Sequence, residues 1–466
     1  MPTGFITDMA ETVAAQAGRL GEGLLGNTIR LGVTGLRRSG KTVFVTSLVN
    51  NLLHPQRLPF LEAVRAGRLV AARLEPQPDL AVPRFGYEDR LADLRAEPPR
   101  WPEPTKAVSR VRLALRYRPS GLLRRRLAEM STLTLDIVDY PGEWLLDLPL
   151  LGQDYATWSA ATLELAAQPA RAGLAAEWRN HLGLFDAAGP ADEATARTLA
   201  RLYTAYLVAC RDSRAPLSLL QPGRFLEPGE MAGAPALAFC PMPVSGRTAR
   251  GTLGRLMEDR FEAYKHAVVR RFFREHFAKL DRQVVLVDLL GALNAGAAGA
   301  HDLRAALTAS LEAFRHGRPS RLERLFRSRI DKVLFAATKA DHVAADQHKA
   351  LRGLLGQLVD EARRSIRFDG AEVETMAIAA VKCTDTVTAR HEGRDLACVR
   401  GIPLGRTEPT VLFPGELPDD LVKLDGPNPP PHRFLAFNPP HGLDGRGLPN
   451  IRMDQAIEFL LGDRLA

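Results

Sequence analysis

The chain has 466 residues, of which 45% are hydrophobic and 25% charged, a balance that excludes a disordered or fibrous protein and leaves room for more than one domain. Its 62 lysines and arginines against 54 acidic residues give a net charge of +8, a mild excess that permits contact with anionic lipid or nucleic acid without demanding it. No apolar run reaches the ~18 residues of a membrane-spanning helix, and none of Cys210, Cys240, Cys383 and Cys398 stands at CxxC spacing, so zinc-knuckle and redox motifs are absent and a reducing, cytoplasmic setting is expected.

Residues 4–25 place Phe5, Met9, Val13, Ala17, Leu20 and Leu24 at steps of three or four, which predicts an amphipathic helix within residues 1–29. Asp8 and Glu11 stand where an export signal carries Lys or Arg, and the polar face holds only Arg19 among acidic residues, so packing on the domain behind it is the plainer reading than a membrane-surface helix. A first core segment is expected over 30–143: a short apolar strand at 30–34, a helix at 41–53, a Pro- and Arg-rich stretch with helical pieces near 59–66 and 86–96, and two alternating strands at 108–117 and 132–138 joined as a hairpin. Residues 144–280 read as a helical insertion, rich in Ala, Leu, Arg and Glu and ending in a long charged helix from about 253. His266 and His276 on that helix, with Arg270, Arg271, Arg274, Lys279 and Arg282, read as a solvated face, and an acidic-lipid or partner surface is the sharper alternative. A second core segment follows over 281–383, with buried strands near 283–290, 331–338 and 372–380 and helices at 301–328 and 344–366. A Pro/Gly-rich excursion at 384–450 with short strands precedes a closing helix within 451–466. Strands alternating with helices predict an α/β fold with a mostly parallel sheet whose one antiparallel edge is the 108–138 hairpin.

Four motifs fall at the ends of these strands. Gly35-Leu-Arg-Arg-Ser39-Gly40-Lys41-Thr42 fits GxxxxGK[ST]: the glycines curl the backbone so that amides face phosphate oxygens, the following helix from Lys41, Thr42 and Val43 adds its positive end, Lys41 reaches the terminal phosphates, and Thr42 can ligate Mg²⁺. Asp139-Tyr-Pro-Gly142 closes the next apolar strand, placing a carboxylate for the metal and a glycine amide for a γ-phosphate. Thr338-Lys339-Ala-Asp341 has the form [NT]KxD, in which the aspartate accepts two N–H bonds from the edge of guanine and the lysine stem lies on the purine; a plain helix cap by Asp341 is the alternative. The third strand ends in Ala379-Ala-Val381-Lys382, where an amide and a lysine can close over the base. Thr105, at the end of Trp101-Pro-Glu-Pro-Thr105, precedes the strand that pairs with the Asp139 strand and is a candidate third metal contact.

Together these residues resemble the Ras-like class of P-loop GTPases. More narrowly, the chain resembles the bacterial YcjX family, through Gly32 to Leu53, Trp101 to Thr105, Asp139 to Trp144, Arg282 to Asp288, Thr338 to Asp341 and Asn450 to Arg464. That resemblance implies a Ras-like P-loop core with a helical insertion, GTP and GDP binding with Mg²⁺, a cytoplasmic or peripheral inner-membrane location and a link to stress response. It names no protein partner; the insertion is the expected partner surface, and nucleic acid is not expected.

One departure bears on rate. Ras-like proteins often carry Gln after the DxxG glycine to orient the attacking water. Here Glu143 stands there, and a carboxylate beside a γ-phosphate is repelled, so slow hydrolysis is expected. Arg37 and Arg38 can lend positive charge to the transition state in cis, or else point to solvent or pair with acidic residues of the insertion. Three functions remain open: a Mg²⁺-dependent GTPase switch, an ATP-using P-loop enzyme, and a nucleotide-bound scaffold with negligible turnover.

Overall fold

The computed structural model describes residues 27–36, 38–105, 107–120, 129–213, 216–244, 246, 248–315, 330–368, 370–425, 433–443 and 447–466. The helix expected at 4–25, and Arg37, lie outside the described residues. Strand β1 (Thr28–Gly35) leads through the glycine loop into helix α1 (Lys41–Leu53), followed by the short α2 (Glu62–Arg65), β2 (Leu69–Glu75), α3 (Tyr87–Arg95), β3 (Ser109–Tyr117) and β4 (Ser131–Asp139). The insertion carries α4 (Tyr155–Ala167), α5 (Pro169–Leu182), α6 (Glu193–Asp212), α7 (Leu253–Tyr264) and α8 (Arg270–Glu275). The core resumes with β5 (Arg282–Val287), α9 (Leu289–Asn294), α10 (Gly296–Arg315), β6 (Lys332–Ala337), α11 (His348–Leu358), α12 (Asp360–Phe368) and β7 (Glu372–Ala377). A small antiparallel sheet of β8 (Asp385–His391), β9 (Arg394–Gly401) and β10 (Thr410–Leu412) precedes the closing α13 (Met453–Leu461).

The seven-stranded sheet has the order β2-β3-β4-β1-β5-β6-β7. From β4 to β7 the neighbours run parallel, and β3 and β2 continue the sheet antiparallel. The edge is therefore β2, not the 108–138 hairpin. Its sequence, Leu69-Val-Ala-Ala-Arg-Leu-Glu75, has no clean alternation because an edge strand buries little of either face. The central strands show the reverse. Val284 and Leu286 face the side covered by α1 and α13, whereas Val285 and Val287 face the side covered by α10 and the insertion. Period-two burial on both faces is why these segments read as continuous apolar runs.

The insertion is not a detached body. Its aromatic core, with Trp158 stacked on Phe261 and Trp178 on Tyr206 at centroid distances of 5.0 and 5.5 Å, is continuous with that second sheet face. Arg171 of α5 is buried and ties the insertion to α10 through Asp302 at 2.5 Å. The charged stretch from 253 is broken by a π turn at Lys265–Val269 and is not a single solvated helix. Arg282 is fully buried, gripped by Asp463 (2.6 and 2.7 Å) and Asp331 (3.2 Å), and so fixes the start of β5 to the chain end. His276 is half-buried against Arg110, Nδ1 to Nη2 3.2 Å, and burial reinforced by that cation holds its imidazole down at about 4, so it is neutral near pH 7. Arg270, Arg271 and Arg274 remain exposed.

Candidate nucleotide site

Parallel strands bring their C-terminal ends to one edge, where ligands bind in open α/β sheets. Along that edge stand Asp139 after β4, the Gly35–Thr42 loop after β1, Asp288 after β5, Thr338–Asp341 after β6 and Ala379–Lys382 after β7. A hydrogen bond of 2.5 Å from Ser47 Oγ to the Ala380 carbonyl ties α1, the helix that follows the glycine loop, to the segment after β7.

The loop is closed by Ser39 N donating to Leu36 O (3.1 Å) and Phe44 N to Gly40 O (2.8 Å). Gly40 has φ 77°, a left-handed conformation that glycine adopts without a Cβ penalty, and it releases the chain directly into α1. The first amides of α1 have no acceptor within the helix and no acidic side chain in the first turn. Arg38 is exposed.

At the head of α1, Lys41 Nζ lies 2.7 Å from Asp139 Oδ1, with side-chain exposures of 10% and 1%. The pair meets as charges but not along a hydrogen-bond direction: the ammonium and both carboxylate oxygens lack hydrogen-bond partners among the described residues, as does the buried Ser39 hydroxyl. Thr42 Oγ1 stands 3.3 Å from Thr105 Oγ1. Hard oxygen donors from Asp139, Thr42 and Thr105 are the ligand chemistry Mg²⁺ takes, usually beside phosphate oxygens. Orphaned buried polar groups are costly unless something completes them. The donor set therefore fits a magnesium-phosphate group.

Gly142 lies directly on this loop. A Cβ there would come within 2.3 Å of Gly35 O and 2.8 Å of Leu36 N, so only glycine permits the approach. The next residue already touches the insertion, since a Cβ on Gly223 would sit 2.1 Å from Glu143 O. Glu143 itself is half-buried. Trp144 lies under the Arg224 guanidinium at 3.3 Å and packs edge-on against Phe272, which also meets Tyr140. Asp147 accepts from Gly223 N (2.8 Å) and Tyr264 Oη (2.5 Å) and is wholly buried, which pushes its carboxyl up to about 7. Gly223, Arg224, Tyr264, Phe272 and Asp147 carried no sequence signal, because their partners lie far along the chain.

At the other end, Lys339 adopts φ 60° and its ammonium pairs with Asp288 at 2.5 Å. Thr338 is anchored to Val287 O through its amide (3.0 Å) and hydroxyl (3.3 Å). Asp341 is 4% exposed, and its Oδ2 accepts from Cys383 N (2.8 Å) and Cys383 Sγ (3.0 Å). It does not cap α11, which begins at His348. Val381 is buried; the Lys382 amide donates to Pro449 O (2.8 Å) and its ammonium pairs with Asp385 at 2.7 Å. Asp288 and Cys383 are the residues here that motif spacing alone did not single out. The excursion reaches the same edge: Trp101 Nε1 donates to Phe437 O (2.7 Å), and the Phe437 ring packs edge-on against His342.

Among the described residues no helix is long and apolar enough to cross a membrane. The model of the YcjX-like family, DUF463, matches residues 29–465. A protein of Escherichia coli (strain K12) named "Ras-like GTPase YcjX" is 42% identical over 448 residues, covering 94% of this chain and 96% of that protein. A second protein of the same name, from Shewanella oneidensis (strain MR-1), is 38% identical over 460 residues, covering 94% of each.

Proposed function

The chain belongs to the YcjX-like family, and from that premise we propose that it is a guanine-nucleotide switch that hydrolyses GTP slowly and whose nucleotide state sets the posture of the helical insertion. The observation that carries this reading is the buried Lys41–Asp139 pair with its unsatisfied donors and acceptors, set at the head of a glycine loop. Gly35, Arg38, Ser39, Gly40, Lys41, Thr42 and Val43 supply the phosphate contacts. Thr42, Thr105 and Asp139 would hold Mg²⁺, which when bound offsets phosphate charge during transfer. A triphosphate competes with Asp139 for the Lys41 ammonium, so binding resolves two buried charges at once.

Thr338, Lys339, Asp341, Val381 and Lys382 form the base side, and the names of the two relatives favour GTP over ATP there. Gly142 offers its amide toward the γ-phosphate. Glu143 beside it supplies a carboxylate where a neutral amide would better orient water, which supports slow turnover. Arg37 and Arg38 are the candidates for charge donation in cis. Partners are expected on the insertion, and a peripheral membrane contact and a stress-linked role follow from the family resemblance alone.

Titration with labelled GTP and ATP, with and without Mg²⁺, tests the reading. Preferential, Mg²⁺-dependent GTP binding is expected, and equal affinities would point to an ATP-using enzyme. Single-turnover phosphate release separates a slow hydrolase from a scaffold that does not turn over. Hydrogen exchange compared between GDP and a non-hydrolysable GTP analogue should differ over residues 144–170; identical traces would remove the switch.

A further inference from the structure

We infer that the cleft between α10, α11 and α12 is a docking groove for an acidic segment of a partner protein. The cleft has a volume of about 780 Å³ and shares no lining residue with the nucleotide site, so the inference stands apart from the nucleotide reading. Four cations line it: Arg304 from α10, Lys349 and Arg352 from α11, and Arg363 from α12. Arg352 is paired, with Glu374 at 2.8 Å. Arg304, Lys349 and Arg363 form no side-chain hydrogen bond or ion pair among the described residues, and the Arg363 Nε is buried without an acceptor. The acidic residues of the lining are already engaged, Asp360 by Arg364 at 3.0 Å and Asp420 by the Val422 amide at 3.0 Å. The charge left over is therefore positive, and cations gathered in one concavity attract an anion.

The floor points the same way. Gly353 and Gly356 lie in the lining, about one turn apart on α11, and glycine inside a helix is costly against alanine. A Cβ at 353 would meet nothing within 4 Å, and one at 356 would meet only Arg363 Nη1, at 3.7 Å. Packing within the chain does not require glycine at either position. What their bareness gives is a floor low enough for a second backbone to lie close to the helix. The far wall is fixed in place: Gln357 Nε2 donates to Asp419 O (2.9 Å) and its Oε1 accepts from Leu421 N (3.1 Å), which straps the Asp420 segment to α11. The shape selects the occupant. From Lys349 to Gly356 the helix rises about 10 Å, so a single anionic group cannot reach cations spread over three helices. No lining residue is aromatic, so nucleic-acid bases find no stacking platform, and Asp360 and Asp420 would face a phosphate backbone with like charge. A polypeptide with spaced Asp or Glu fits both signs, its carboxylates meeting the guanidinium groups and its amides the two aspartates. The occupant would also lie on the helix that Arg171 of the insertion grips through Asp302.

The test is fluorescence anisotropy of a labelled peptide that alternates Glu with Ser, titrated with the full chain and competed with the unlabelled peptide, single-stranded RNA and tripolyphosphate. Saturable binding of the Glu peptide is expected, and a peptide with Lys in place of Glu should not bind. Arg304→Ala combined with Lys349→Ala removes two exposed cations and should weaken binding about tenfold, whereas Arg116→Ala combined with Arg270→Ala takes the same charge from exposed positions elsewhere and should leave it within about twofold. Gly353→Leu fills the floor where nothing stands within 4 Å and replaces a helical glycine, so it should abolish binding with the thermal midpoint unchanged or raised. Should that chain unfold, the charge variants decide. No binding of the Glu peptide, equal losses in the two charge variants, or undiminished binding in a folded Gly353→Leu chain would overturn the groove. RNA or tripolyphosphate that displaces the labelled peptide at lower concentration than the unlabelled peptide does would mark a phosphate site and overturn the protein occupant.

Discussion

Replacing Asp147 with asparagine should make the chain more stable at pH 8 and flatten its stability profile below that. Asp147 is buried beneath the segment that follows Gly142, and desolvation outweighs its bonds from Tyr264 and Gly223 to lift the carboxyl from an ordinary 3.8 to about 7. A carboxyl whose folded value is raised is favoured in its protonated form. Its contribution is fully present below the unfolded pKa and is lost as pH rises through the folded one. A shift of about three units at 1.36 kcal/mol each sets an upper bound near 4 kcal/mol, of which about 2.5 kcal/mol falls between pH 5 and pH 8. Asparagine stays neutral, keeps an acceptor for the Gly223 amide, and offers N–H to the Tyr264 oxygen. Urea unfolding of nucleotide-free native and Asp147→Asn chains, taken at pH steps from 5 to 8, reads the difference directly. Two profiles that run parallel across that window would show that Asp147 ionises freely in the folded chain, and the argument from burial would be wrong.

Lys41→Ala should abolish nucleotide binding and also destabilise the nucleotide-free chain by about 3–5 kcal/mol, because it leaves the fully buried Asp139 without its counter-charge; an unchanged urea midpoint would contradict the pairing. Thr105→Ala should weaken the Mg²⁺-dependent binding of a non-hydrolysable GTP analogue more than that of GDP, read by competition titration, since a switch threonine contributes when the γ-phosphate is present. Gly223→Ala adds a Cβ that would lie 2.1 Å from Glu143 O, so the two segments must part, at about 1–3 kcal/mol. Hydrogen exchange in that variant should show 144–170 already exposed with GDP, with little further change on adding the GTP analogue.

The strand-end motifs were legible because each is a local rule. Gly40 turns the chain at φ 77°, a strand of alternating or continuous apolar residues precedes each loop, and the chemistry-bearing residue follows within a few positions. What stayed hidden depends on partners distant in sequence. Asp147 and Tyr264 are 117 residues apart, and Asp341 and Cys383 are 42 apart on different strand ends. Arg282 looks like one more cation in a charge run until Asp463 and Asp331 are folded over it. Phe272 looks like an aromatic scattered among arginines, yet it packs edge-on against both Tyr140 and Trp144. Edge strand β2 escaped detection for a different reason: with little burial there is little pattern, and pattern is all a sequence displays of a strand.

The coupling proposed between nucleotide and insertion turns on how short the path is. Gly142 is pressed against the backbone of Gly35 and Leu36, and its neighbour Glu143 is pressed against Gly223 from the other side. Trp144 is then held between Arg224 and Phe272. Three consecutive residues thus span from the phosphate loop into the core of the insertion, and the first two contacts leave no room for a residue larger than glycine at 142 or 223. Close-packed interfaces of this kind do not stretch; they hold one arrangement or change to another. A γ-phosphate that draws the Gly142 amide off the loop therefore has two outcomes open to it. The Glu143–Gly223 contact slides with it, which moves α7 and α8 through Tyr264 and Phe272, or the contact breaks, which exposes Asp147 and lets it ionise. The second outcome releases a proton on GTP binding and the first does not, and the difference is largest near pH 6, where a carboxyl held at about 7 is still mostly protonated in the folded chain. The dependence of binding enthalpy on buffer ionisation at about pH 6 therefore tells a sliding insertion from a detached one: a buffer-independent enthalpy marks the first, and a slope approaching one proton released marks the second.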